Sequence, residues 1–259
     1  MGGMISVLYG FVAYLMFLGT FLYAVGVVGD LPVPKTIDSG DDGPLVPSLV
    51  VDTLLLGLFA IQHSVMARPG FKRWWTRLVP HAVERSTFVL FANLVLLLLY
   101  WQWQPIRLPV WSVADHSVVV IIQAVFWLGF GLALLSTFLI NHFELFGLRQ
   151  VYARLRGRTL PSPAFRTPFL YKRVRHPLYL GLLLMFWAAP VMTAGHLLFA
   201  IGATGYILIG IVLEERDLID VFGDQYRRYR EQVSMLIPLP RRKFDAVSTQ
   251  TPSVGLKRP

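Results

Sequence analysis

The sequence predicts an all-α fold, a polytopic helical bundle embedded in a membrane, and three observations predict it. Hydrophobic residues make up 55% of the chain and charged ones 15%, with a mean hydropathy of +0.56, a balance too apolar for a domain with a solvated surface. Apolar runs long enough to cross about 30 Å of hydrocarbon occur at Met4 to Val28, Val50 to Met66, Phe88 to Trp103 and Val118 to Ile140. In lipid, runs of this length satisfy their backbone groups only as helices, and no alternating segments suggest a barrel.

The first run lacks a basic leader and exceeds the length of a signal-peptide core, so it reads as a retained span. The loop from Gly29 to Pro47 carries Asp30, Asp38, Asp41 and Asp42 against Lys35 alone. The next loop holds Arg68, Lys72, Arg73, Arg77 and Arg85. A short third loop with Arg107 and Asp115 is nearly neutral, whereas the fourth carries Arg149, Arg154, Arg156, Arg158, Arg166, Lys172, Arg173 and Arg175. Lys and Arg mark the cytoplasmic side, which places both termini and the second and fourth loops there. The formal charge of +9 is thus a basic juxtamembrane surface facing anionic headgroups rather than a nucleic-acid footprint. There is no cysteine, which excludes disulfides, thiolate metal sites and a cysteine nucleophile. No internal repeat is present. Residues 1–240 read as one domain, with 170–240 as its core, and Arg241 to Pro259 reads as a disordered tail.

The block from Leu178 to Leu213 is too long for one ordinary span. Pro177 suits the first turn of a helix, and Ala188-Ala189-Pro190 breaks the run near its middle. Two helices of roughly 17 to 20 residues, rising about 1.5 Å per residue, would go out and come back. Arg175 and His176 at the start of this hairpin should then meet Glu214, Glu215, Arg216 and Asp217 at its end. With four earlier crossings the bundle has six helical segments, or five if the first limb is too short to span. Charge at membrane depth is expensive, so such a convergence is a functional-site candidate. Each residue alone is explained by helix capping or snorkelling. Trp101, Trp103, Trp127 and Trp187 read as interfacial belt and core.

Arg175-His176-Pro177-Leu178-Tyr179-Leu180-Gly181, then Glu214-Glu215-Arg216-Asp217-Leu218, then Phe222-Gly223-Asp224-Gln225-Tyr226-Arg227-Arg228-Tyr229 resembles the C-terminal signature of a membrane methyltransferase superfamily. Isoprenylcysteine carboxyl methyltransferases and phospholipid N-methyltransferases belong to it. The segments Gln62-His63-Ser64-Val65-Met66-Ala67-Arg68, Glu84-Arg85-Ser86-Thr87-Phe88 and His142-Phe143-Glu144-Leu145-Phe146-Gly147-Leu148-Arg149-Gln150-Val151 are similar to the bacterial methanethiol S-methyltransferases within it. The resemblance implies S-adenosyl-L-methionine bound without a Rossmann domain, and no GxGxxG follows a strand in this chain. It implies a cofactor pocket containing His176, Tyr179 and Glu214, with Gly181 in the same motif, Arg175 pairing a carboxylate of the cofactor or of Glu214 or Glu215, and Tyr226 and Tyr229 on an amphipathic helix over the adenosine. The implied acceptor is a small thiol, methanethiol, attacking as its thiolate and yielding dimethyl sulfide, in a bacterial cytoplasmic membrane. His142 is the first candidate base, with His63 and Arg68 second.

Three other readings compete. A prenylcysteine carboxylate or a lipid amine as acceptor would enter sideways from the bilayer. A haem or metal protein would pair histidines, yet no two lie at i and i+3 or i+4 on one helix, and His116 and His196 face the side opposite His63, His142 and His176, so no metal is expected. A scaffold or transporter would draw support from the broken hairpin but lacks an inverted repeat.

Overall fold

The computed structural model describes residues 2–161 and 164–238; the expected tail, Arg241 to Pro259, lies outside them. Among the described residues five helices are long and apolar enough to cross a bilayer, namely α1 (Gly3–Val28), α2 (Leu45–Ala67), α4 (His81–Gln102), α5 (His116–Ile140) and α9 (Ala194–Phe222). The chain is therefore a multi-pass membrane protein. Shorter helices α3 (Pro69–Trp75), α6 (His142–Leu145), α7 (Leu148–Leu155), α8 (Pro177–Trp187) and α10 (Asp224–Gln232) line one end of the bundle or complete it. Leucines such as Leu8, Leu54 and Leu128 remain exposed on the outside, as helices that meet lipid require.

Local chemistry sets the helix ends. Asp115 accepts a 3.0 Å hydrogen bond from the Val118 N–H and opens α5. Thr193 does the same for α9 through the His196 N–H at 3.1 Å. These side chains satisfy donors that the helix itself leaves unpaired. Pro177 stands in the first turn of α8, where its missing N–H removes no bond.

The final apolar block folds back as expected, with limbs of unequal length. Two helices of roughly equal length were expected; instead α8 has 11 residues and α9 has 29. Pro190 holds the residue before it out of helical conformation, and α8 ends at Trp187, well short of a bilayer. The chain then continues extended through β2 (Val191–Thr193), which pairs antiparallel with β1 (Pro109–Ser112). Strands this short carry no period that a sequence reading can use, and only a turn was expected there. At the far end α9 continues past the acidic pair to Phe222 and stops at Gly223, whose φ of +57° suits glycine. Among the described residues the outcome is five spans and one short limb.

The end carrying the ribbon is tied by hydrogen bonds from Ala194 N–H to Leu108 O and Gly195 N–H to Ile106 O, at 2.8 and 3.0 Å. There the Thr193 hydroxyl donates to Asp38 at 2.6 Å, and the His196 ring donates to Phe186 O at 3.0 Å. The last of these satisfies a carbonyl freed where α8 stops. Val25, Leu99, Trp103, Phe126 and Met185 form the core of this half. Met66, Phe88 and Val89, with Phe17 and Phe146, form the core of the other half.

Helices α5 and α8 pack backbone to backbone. A Cβ on Gly181 would lie 2.5 Å from the Ala133 nitrogen and 2.6 Å from the Gly129 carbonyl oxygen. Those are backbone atoms, so the helices themselves would have to separate. Gly181 thus serves the approach of α8 to α5. Gly181→Ala is expected to destabilise the protein by about 1 to 3 kcal/mol through overpacking, read as a lower thermal midpoint in detergent.

Candidate active site

The segment RVRHP leaves a 3₁₀ turn (Phe169–Lys172) and enters α8 as an extended strap. Its backbone donors find partners in the chain that follows α10. Arg175 N–H bonds Ser234 O at 2.8 Å and His176 N–H bonds Met235 O at 3.1 Å. A buried helix start needs such partners. The Arg175 guanidinium is held just as firmly, with Nε donating to Glu215 Oε1 at 2.7 Å and Nη1 to the carbonyls of Val233 and Arg230 at 2.5 and 2.9 Å. His176 Nε2 lies 3.0 Å from the same carboxylate oxygen. The side chains of Arg175, His176 and Glu215 are only 8%, 5% and 10% exposed, so this is a buried, mutually satisfied lock. Residues forty positions apart meet because the hairpin closes.

Successive residues on a helix point about 100° apart, and the two glutamates face different neighbours. Glu215 turns toward the lock. Glu214 turns toward α8, where the Tyr179 hydroxyl donates to its Oε2 at 2.8 Å. Among the described residues Glu214 makes no ion pair within 4 Å. Tyr171, Tyr206 and Arg85 lie within its electrostatic reach. Arg68, just past the end of α2, pairs with Asp217, three residues beyond Glu214, at 3.2 Å and approaches the carbonyl of Leu213, the residue before it, at 3.5 Å. That contact joins α2 to α9 beside Glu214.

Known proteins share most of this sequence. The chain is 56% identical over 238 residues to the methanethiol S-methyltransferase of Mycobacterium tuberculosis, covering 92% of this chain and 98% of that protein. It is 57% identical over 237 residues to methanethiol S-methyltransferase 1 of Bradyrhizobium diazoefficiens, covering 92% and 83%. The chain belongs to the methanethiol S-methyltransferase family. A more distant similarity, 32% over 192 residues, links it to mouse nurim, covering 68% of this chain and 70% of that protein. No protein-family model and no solved structure matches the chain.

In this member of the methanethiol S-methyltransferase family the three candidate catalytic residues occupy different settings. The His63 ring sits among Phe59, Phe88 and Tyr206, with centroids 5.3, 4.8 and 6.2 Å away. Its Nδ1 is buried without a hydrogen-bond partner among the described residues. Tyr206 bonds Ser64 and lies within reach of Glu214, so His63 and Arg68 adjoin the Glu214 corner. His142 is engaged elsewhere. Thr137 donates its hydroxyl to Leu134 O at 2.7 Å, which leaves its oxygen to accept from His142 Nδ1–H at 2.8 Å. His142 Nε2 then accepts from the Tyr14 hydroxyl at 2.9 Å. The ring also stacks on Phe138 at 4.1 Å, and burial holds its proton affinity below the ordinary imidazole range. These contacts tie α1, α5 and α6 together.

Tyr226 and Tyr229 do lie on the short helix α10, with their rings buried against Phe165 at 6.0 and 5.3 Å. The Tyr229 hydroxyl donates to Tyr171 O at 2.6 Å. Burial keeps both phenols above their usual titration range, so they remain neutral. They anchor α10 beneath the lock. For this methanethiol S-methyltransferase family member, the contiguous network is Arg175, His176, Tyr179, Glu214 and Glu215. Arg85, Tyr171 and Tyr206 were missed from sequence. Arg85 stood within the ERSTF segment but was counted only as a marker of the cytoplasmic side, and the tyrosines lie in apolar or basic runs with no motif of their own.

Proposed function

We propose that the protein is an S-adenosyl-L-methionine-dependent methyltransferase that converts methanethiol to dimethyl sulfide. The single observation that carries this reading is the Glu214 carboxylate, fixed by Tyr179 and in no ion pair within 4 Å among the described residues. A half-buried carboxylate that no cation pairs within 4 Å suits a positively charged ligand. Glu214 and Tyr179 would hold the donor, and His176 and Tyr206 would border it. Bound there, the donor supplies an electrophilic methyl group on a positively charged sulfur. The Arg175–Glu215–His176 lock keeps the frame rigid, so that Glu214 stays in place without reorganisation.

Phe59, Phe88 and the ring of Tyr206 make a small aromatic enclosure beside this corner. Such an enclosure suits a short alkyl thiol and keeps water from the reacting sulfur, and the unsatisfied His63 ring can orient that sulfur by a hydrogen bond. Holding two small reactants in line supplies much of the acceleration, with about 7 to 11 kcal/mol as the ceiling for well-oriented cases. The names of the 50–57% identical relatives support the same acceptor. The basic second and fourth loops support a site and both termini facing the cytoplasm, in the cytoplasmic membrane of a bacterium.

The test is to supply methyl-labelled S-adenosylmethionine to purified protein with methanethiol and, separately, with a prenylcysteine. Labelled dimethyl sulfide is the expected product. Label carried only into the prenylcysteine, or into neither acceptor, would overturn the assignment.

A further inference from the structure

Arg85, in α4, enters the site as described so far only as a charge near Glu214. Its Nε donates to Leu145 O at 2.6 Å, and its guanidinium carbon stands 4.9 Å above the Phe88 ring. Phe88 is buried and is the same ring that packs against His63. Among the described residues neither Nη group of Arg85 has a hydrogen-bond partner, and the side chain forms no ion pair within 4 Å. The charged and titratable groups within its reach are Glu84 on its own helix, His63 of α2, Lys72 of α3 and Glu214 of α9. A guanidinium in an aromatic wall, with its outer amino groups unused, is a place for an anion.

Arg85 also lies within electrostatic reach of Glu214. Two charges of opposite sign, neither in an ion pair within 4 Å among the described residues, accommodate a pair of reactants whose charges alternate with theirs. A sulfonium beside Glu214 and an anionic sulfur beside Arg85 complete that order. The surroundings of Arg85, Phe88 with Met66 and Phe146 behind it, suit a short alkyl group.

We propose that Arg85 binds the acceptor as its thiolate, so that the thiol gives up its proton to solvent before methyl transfer. This rests on the methyltransferase reading above. His63, enclosed by aromatic rings beside Arg85, orients the sulfur through its unsatisfied Nδ1, and the proton passes to solvent. Arg85 stabilises the electron pair left when the S–H bond breaks. That pair forms the new S–CH₃ bond as the donor's S–CH₃ bond breaks, its electrons remaining on the donor sulfur, and two neutral thioethers result.

The experiment compares wild type with Arg85→Gln, whose amide can still reach Leu145 O. In the variant the acid limb of the kcat profile for methanethiol, which reports the bound thiol, should move up by about one to three pH units, the range a neighbouring charge imposes. The same number of decades is lost at neutral pH, while calorimetric affinity for the donor is unchanged. An unmoved acid limb, or a parallel loss of donor affinity, overturns the proposal. Should Arg85→Gln fail to fold, wild type decides through thiocyanate, a small anion with a terminal sulfur. It should compete with methanethiol and not with the donor; competition with the donor, or no inhibition, overturns the assignment. Wild type that binds donor yet makes no dimethyl sulfide would instead sink the underlying reading.

Discussion

Replacing Glu215 with alanine is expected to destabilise the protein by about 3 to 5 kcal/mol, the usual penalty for removing one partner of a buried ion pair. Its Oε1 accepts from Arg175 at 2.7 Å and lies 3.0 Å from His176. The Arg175 side chain has 8% of its surface exposed and cannot turn to water in compensation. Two carbonyls would still hold its Nη1, but neither supplies a negative charge. Because the same strap is bonded to residues 234 and 235, the loss should also free the chain beyond α10. Thermal unfolding in detergent measures the first effect, and protease sensitivity near residue 235 the second. Glu215→Gln, which keeps an acceptor but not the charge, should fall between alanine and wild type. An alanine variant with an unshifted midpoint would mean that the lock does not hold the fold.

Glu214→Gln should have the opposite profile, with stability near wild type and donor affinity reduced. Glu214 forms no ion pair among the described residues, and an amide oxygen can still accept from Tyr179. What disappears is the negative charge facing the donor. A hydrogen bond to a charged group is worth about 1.5 to 3 kcal/mol, so affinity should fall by about 10- to 150-fold. Tyr179→Phe removes a single positioning bond and should reduce affinity by about 3- to 10-fold on the same scale. Calorimetric titration with S-adenosylmethionine reads both. Undiminished affinity in a folded Glu214→Gln protein would remove this residue from the donor site. The adjacent glutamates thereby separate into a structural group and a ligand-binding one, a division that their shared motif conceals.

The amino-acid sequence by itself determined that the chain is a membrane-embedded helical bundle and that its last apolar block doubles back. Hydropathy and Pro190 are local properties, readable from neighbours along the chain. The meeting of RVRHP with EERD was legible for the same reason, since a hairpin of known rise must return its ends to one level. The unequal limbs were not legible. Where α8 stops depends on Pro190 together with a ribbon to residues 109–112, and where α9 stops depends on Gly223 rather than on the charges before it. Nor could the sequence say which glutamate Arg175 takes, because helical phase separates Glu214 from Glu215 and only the seating of α10 decides which one faces the strap. His142 and His63 look alike as histidines near the ends of spans. Tertiary structure gave one of them Tyr14 and Thr137 and left the other an unsatisfied nitrogen. Arg85 went unread because an arginine near a helix start is ordinarily a solvated charge; its use depends on which side chains from other helices fail to pair with it, and that is settled only when the helices assemble.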